Sequence, residues 1–289
     1  MKLIPWKFNN DMVEGYTVPA HIDGRLFNMS YNGLDDKQVL ENRKELAQML
    51  HTELDHMVAP LQRHTTHYLS VNKNDGGKGI YSQKDAYLGF DALYTRDTDL
   101  TLFTFHADCC PVLLYCENQH LVAAIHSGWK GTVTEIVGKV TRHLIEDEGC
   151  DPSHIYAYVG PSIEARNFEA MDDIIDRVKS MSFDTSSFYT KKDETHYLLN
   201  SKGLIKQQLL NCGVLEEHIE VSPYCTMEND DLFFSYRKTH TKNRNISIIR
   251  LIKQLQSNFC FPAFSYSISP ASTAIVCGIS SISFSGITV

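Results

Sequence analysis

Several things are scarce or missing in this chain of 289 residues, and each absence narrows the reading. The N-terminal stretch MKLIPWKFNND holds no apolar run of secretory length, so no signal peptide is read there. Eight cysteines in a chain this long are too sparse for a disulfide scaffold, which makes reduced thiols and a cytoplasmic location the expectation. Positive charge is not in excess. The formal net charge is −8, which argues against a general nucleic-acid binder. There is no C-x-x-C pair, no H-E-x-x-H and no G-x-x-x-x-G-K-[ST], so the strong short motifs for zinc and for nucleotide phosphates are missing. No internal repeat is present. The last segment, 254–289, contains no charged residue and no histidine. Its serines, Pro262 and Pro270 make it a poor membrane span, and it carries no functional assignment.

What remains is an ordinary globular composition with alternating apolar patterns. Residues 32–50 read as a helix, with Asp35 or Asp36 as its cap and Val39, Leu40, Leu46 and Leu50 as its stripe. The short apolar runs 100–105, 112–115 and 121–125 read as buried strands. Residues 132–149 predict one amphipathic helix closed by Gly149. A strand is expected at 154–159 and helices at 171–181 and 201–213. Strands are expected at 219–221 and 232–236, and a last helix at 243–255. Several strands follow one another closely, which predicts an α/β protein with a mixed sheet.

The chemistry concentrates in HADCCPVLLYCENQHLVAAIHSGWKG, residues 106–131. If 102–109 is extended, Ala107 and Cys109 share one face and His106 and Asp108 the other. Pro111 is expected to end the hydrogen-bonding ladder. Cys109 and His126 then both lie at strand ends, where open α/β sheets build sites. Ser127-Gly128-Trp129-Lys130-Gly131 leads into the next helix, whose free amides suit an anion, with Lys130 adding a charge. A plainer reading stands beside this one. Cys109 can be a small core residue and His126 a structural histidine. Cys110 and Cys116 read as core. His64 and His67 share a face on a helix and lie on opposite faces of a strand.

Taken together, these segments resemble the laccase-domain family, also called multicopper-polyphenol-oxidase-like, whose members are purine nucleoside phosphorylases. The resemblance rests on Asn42-Arg43, Gln62-Arg63-His64 and the run from Ala107 to Leu114. It extends through His126 to Gly131, Gly160-Pro161-Ser162-Ile163, Cys225-Thr226 and Phe234-Ser235-Tyr236-Arg237, in the family's order over about residues 18 to 251. It implies a single layered α/β/β/α domain with mixed sheets over 1–252, and leaves 253–289 as a tail without counterpart. It implies a catalytic zinc site with His64, Cys109 and His126 as ligands, copper being the other metal to consider. It implies phosphorolysis of adenosine, inosine, guanosine and S-methyl-5′-thioadenosine, with phosphate as co-substrate, and deamination of adenosine. Lys130 is the first candidate for the phosphate, with Arg43 and Arg237 next. For the two arginines a structural ion pair is the competing role. Asp108 would support Cys109 or hold a turn. The expected partners are purine nucleosides and phosphate, without nucleic acid or membrane, on a monomer.

The chain departs from the family pattern at Ser127, Lys130 and Arg63, none of them a ligand. Lysine neutralises an anion but lacks arginine's bidentate fork. Two other classes compete. One is a copper-dependent phenol oxidase, although the 13 histidines include no H-x-H pair. The other is a metal-free cysteine hydrolase of the kind that edits cell-wall precursors, with Cys109 as nucleophile and His126 as base.

Overall fold

The Thr101–His106 strand lies in one sheet and the Cys110–Cys116 strand in another, with three residues between them. That crossing organises the molecule. The computed structural model describes residues 2–32 and 36–253. Asp35 as a helix cap, and the tail from 254, lie outside the described residues.

The first sheet runs in the order Ile4–Pro5, Val13–Val18, Asn245–Leu251, Thr101–His106, Met57–Val58. Its last pair is parallel and the others antiparallel. The second runs Ile219–Val221, Ile155–Val159, Cys110–Cys116, Leu121–Ser127, Ala92–Thr95, Tyr68–Ser70. It is antiparallel at its centre and parallel at both edges. The two sheets face each other across a core of Val13, Leu102 and Ile249 on one side and Leu93, Leu113 and Val122 on the other. Alternation along each strand sends the intervening residues outward to the helices. Leu46 and Ala47 of the Asp36–Met49 helix cover Phe103, Ile246 and Ile248. The Ile136–Glu146 and Ser201–Asn211 helices cover Val112, Leu114, Ala123 and Ile125. The result is the layered α/β/β/α arrangement with mixed sheets. A small three-stranded sheet, with the Asp172–Lys179 helix, forms a separate cluster around Ile175 and Leu204.

Five local expectations give way here. The helix expected over 243–255 is absent from its described part, 243–253: Asn245–Leu251 is a central strand between two neighbours, buried along nearly its whole length. Its NISIIRL sequence is β-branched on both faces, which suits a strand covered on both sides. Residues 232–236 form no strand, and a short helix, Tyr236–Thr239, starts where it would end. The helix expected over 132–149 is two pieces, Trp129–Val133 and Ile136–Glu146, divided at Glu135 in the left-handed region (φ 59°). The Glu135 carboxylate accepts from the backbone and hydroxyl of Ser182, which holds that break in place. Finally, 102–109 is not one extended run. Asp108 has φ 81° and turns the chain between the sheets. Pro111 does not end a ladder but sits second in the Cys110–Cys116 strand, opposite His126.

Candidate metal centre

Strand register brings the first two residues of the centre together. His126 pairs with Pro111 and Ser127 with Cys110, so Cys109, just before that strand, lies beside the end of the histidine's strand. The third, His64, comes from the irregular segment 62–67, neither helix nor strand. It holds a left-handed conformation (φ 58°). Its Nε2 is 3.8 Å from Cys109 Sγ, and its ring meets that of His126 edge-on at 4.8 Å between centroids. One ligand atom from each of the three lies within 4.8 Å of the others. Among the described residues this is the one such group of three or more His, Cys, Asp or Glu side chains. His67 is not part of it.

Asp91, which no sequence motif marks, holds the arrangement. It is buried, and its carboxylate accepts from His126 Nδ1 at 2.8 Å. The same carboxylate accepts from the backbone N–H groups of Arg63, His64 and Thr65 at 3.1, 3.0 and 2.8 Å. The Asp91 carbonyl accepts from the His126 backbone. One residue therefore orients His126, leaving Nε2 for the centre, and ties down the backbone that carries His64. Its only sequence trace is an aspartate in Leu-Gly-Phe-Asp-Ala, which matches no motif.

The electrostatics separate the two adjacent cysteines. Burial pushes the Cys109 thiol up, but the His126 charge and hydrogen bonds from His126 and His64 outweigh it and bring it down to about 6. Burial alone dominates at Cys110, which is pushed up to about 12. Burial disfavours the His126 imidazolium, yet Cys109 and Asp91 raise it to about 9. Burial also works against the Asp91 carboxylate, but His126 and the Thr65 and Arg63 amides hold it down at about 2. These shifts favour a Cys109 thiolate beside a His126 imidazolium at neutral pH, and keep Cys110 a protonated core thiol.

The centre opens into a cavity of about 620 Å³ with aromatic walls that include Tyr31, Phe105 and Trp129. Arg43 and Arg237 line it, and so do Arg63 and Arg244, the last unmarked by any sequence signal. Among the described residues neither Arg43 nor Arg237 is in a carboxylate ion pair. Arg43 is buried, and donates to the carbonyls of Met29, Gly79 and Ile80 while its guanidinium stacks 4.4 Å from the Tyr31 ring. Burial brings its pKa down to about 10. Arg237 donates to the Asn167 and Glu169 carbonyls. Asp108 serves as a brace. It accepts from Thr226 Oγ1 at 2.7 Å and from the Arg237 backbone at 2.6 Å, joining the 226–237 segment to the loop that carries Cys109. Lys130 does not line this cavity but an adjoining one. The helix behind it has five residues, too short to sum a large dipole.

Comparison with known proteins bears on the family and the fold. Residues 20–252 match the family model described as multi-copper polyphenol oxidoreductase laccase. The chain is 31% identical over 239 residues to the purine nucleoside phosphorylase YlmD of Bacillus subtilis, covering 81% of this chain and 86% of the relative. Among solved structures, YlmD from Geobacillus stearothermophilus superposes with a TM-score of 0.80 at 27% identity, over 87% of this chain and all of that one. The Bacillus licheniformis hypothetical protein YfiH also reaches 0.80, at 28% identity over 86% of this chain and 99% of its own. On the match of the family model over residues 20–252, the chain belongs to the multi-copper polyphenol oxidoreductase laccase family.

Proposed function

We propose that the protein is a zinc-dependent purine nucleoside phosphorylase acting on adenosine, inosine, guanosine and S-methyl-5′-thioadenosine, with deamination of adenosine as a second activity. The observation that carries this is the His64–Cys109–His126 group, oriented by Asp91 and open to a cavity large enough for a nucleoside. The name of the Bacillus subtilis relative supports the reaction class.

The donor set fits zinc. Two imidazoles and a thiolate are ordinary zinc ligands, and three of them leave a fourth position open. Tetrahedral zinc separates its nitrogen and sulfur ligands by about 3.3–3.7 Å. The 3.8 Å between His64 and Cys109 is close to that. A bound ion would supply Lewis acidity and lower the pKa of water in the open position.

The chain's own residues would do the rest. Asp91 keeps His126 in the tautomer that presents Nε2. Tyr31, Phe105 and Trp129 offer faces for a purine ring. In phosphorolysis a phosphate oxygen bonds to the sugar's anomeric carbon, the bond to the purine nitrogen breaks, and the purine leaves with a proton. Phosphate needs a cationic seat beside that carbon. Both arginines line the cavity, and among the described residues neither is in a carboxylate ion pair; exposed Arg237 is the better placed to take phosphate, since Arg43 spends its guanidinium on the Met29, Gly79 and Ile80 carbonyls. The protein would work as a monomer in the cytoplasm, without nucleic acid. Among the described residues no helix is long and apolar enough to cross a membrane.

The paired thiolate and imidazolium favour a second reading, the metal-free cysteine hydrolase. The multi-centre copper oxidase has less support, since the described residues gather one three-ligand group.

The test is incubation of purified protein with inosine and adenosine, with and without phosphate, followed by chromatography and repeated with Cys109→Ala. Phosphate-dependent hypoxanthine and ribose 1-phosphate, lost in the variant, are expected. No purine product from folded, zinc-loaded wild type would sink the phosphorylase reading. Turnover of an amide substrate that survives a chelator but not a thiol alkylator would then favour the hydrolase.

A further inference from the structure

His64 stands in two walls. One side lines the main cavity, and the other lines a separate concavity of about 510 Å³ that shares only His64 and Trp129 with it. In this second concavity Lys130, Lys139 and Arg177 converge from three helices, Trp129–Val133, Ile136–Glu146 and Asp172–Lys179. His67 and the hydroxyl-bearing Thr65, Thr66 and Thr134 complete the polar lining, and no aspartate or glutamate takes part.

The charge balance makes this unusual. The chain carries 35 acidic against 27 basic residues, so a concavity with three cations and no carboxylate runs against the bulk charge. Two nearby acids are engaged elsewhere. Glu135, at the start of the Ile136–Glu146 helix, is held by Ser182. Asp176 pairs with Lys179, beyond Arg177 on the same helix. Lys130 lies over the Trp129 ring at 5.7 Å, and none of the three cations has a carboxylate partner among the described residues. Like charges held close repel, and a concave wall strengthens their field. A bound dianion with several acceptor oxygens would relieve that repulsion, and the fork of Arg177 suits two of those oxygens.

We propose that this second concavity is a binding site for a phosphate group, distinct from the main cavity and separated from it by His64 and Trp129. The occupant is either inorganic phosphate or the phosphate of a monoester. Because His64 belongs to both walls, occupancy bears directly on the residue that faces the metal centre. The site does not depend on the phosphorylase reading.

Equilibrium binding of inorganic phosphate and of ribose 5-phosphate tests it, using the full chain at low ionic strength. The proteins are wild type, Lys139→Ala/Arg177→Ala, and Arg237→Ala, each checked for folding by circular dichroism. The wild type is expected to show a class of sites whose dissociation constant rises at least about tenfold in the Lys139→Ala/Arg177→Ala protein. That class is expected to persist in Arg237→Ala. Tighter binding of ribose 5-phosphate than of phosphate would identify a monoester as the occupant, and equal binding would identify the free anion. Phosphate binding by the double variant equal to wild type would overturn the proposal. So would displacement by chloride at equal concentration, since that is a diffuse field and not a site. Loss of purine turnover in Cys109→Ala reads the phosphorylase separately, so the two ideas fail independently.

Discussion

Gly128→Ala should disable the metal centre without unfolding the protein. The backbone there is extended (φ −72°, ψ 171°), so alanine meets no conformational penalty. The obstacle is space. A Cβ at position 128 would lie 2.6 Å from His64 Cδ2, 3.1 Å from Cys109 Sγ and 3.2 Å from His64 Nε2, where ordinary contact begins at 3.4 Å. The His64 ring must therefore retreat by about 0.8 Å, while metal–ligand distances tolerate roughly 0.2 Å. Since His64 is exposed, the ring can swing outward without disturbing the core. Displacing a ligand in this way should weaken zinc binding by about 10- to 100-fold. Global stability should change by less than about 1 kcal/mol, and the loss of backbone freedom in the unfolded chain works in alanine's favour. The assay is zinc titration against a competing chromophoric chelator, with a urea melt of each apo protein. Gly138→Ala is the control, because its Cβ meets nothing closer than 3.4 Å. Wild-type zinc affinity in Gly128→Ala would refute the argument that glycine is there to let His64 and Cys109 approach each other.

Three further outcomes follow from the same geometry. Asp91→Ala strips the acceptor from three backbone amides and from His126 Nδ1, and should cost about 3 kcal/mol or more, with a 10- to 100-fold loss of zinc affinity; a urea midpoint equal to wild type would contradict it. Arg43→Lys keeps the charge but not the planar fork that serves the Met29, Gly79 and Ile80 carbonyls, so a loss of about 2–4 kcal/mol is expected in urea unfolding, and an unchanged midpoint would show that fork to be dispensable. Iodoacetamide should label Cys109 in metal-free protein at neutral pH and leave Cys110 untouched, with zinc protecting Cys109; peptide mass spectrometry that finds Cys110 modified first would reverse the assignment of the two thiols.

The sequence shows the site's chemistry more clearly than its framework. Cys109 and His126 stand out because a strand-breaking segment and a glycine turn interrupt buried runs at their positions. Asp91 does not stand out, because an aspartate after Gly-Phe has no periodicity or spacing that marks it as an acceptor for amides 26 to 28 residues away. Asn245–Leu251 is misread as a helix for a related reason. A short run apolar on both faces carries no period, and only neighbours on both sides show it to be a strand. The break at Glu135 is equally silent, since the carboxylate that fixes it bonds to Ser182, 47 positions on.

The resemblance to the laccase-domain family implied the layered α/β/β/α arrangement and the three-ligand set; by itself the sequence determined the alternation of strands and helices, the α/β class with a mixed sheet, and a thiol and an imidazole at the ends of buried runs. Those depend on local pattern and side-chain chemistry, which a linear string carries. Only the tertiary structure decided that the chain changes sheets at Asp108 and that Asp91 governs both histidines. It also decided that Arg43 is committed to carbonyls, and that Lys130 faces a different concavity from the arginines. Each of these depends on contacts between residues far apart in the chain, set by strand register and by burial, and neither is encoded at any single position.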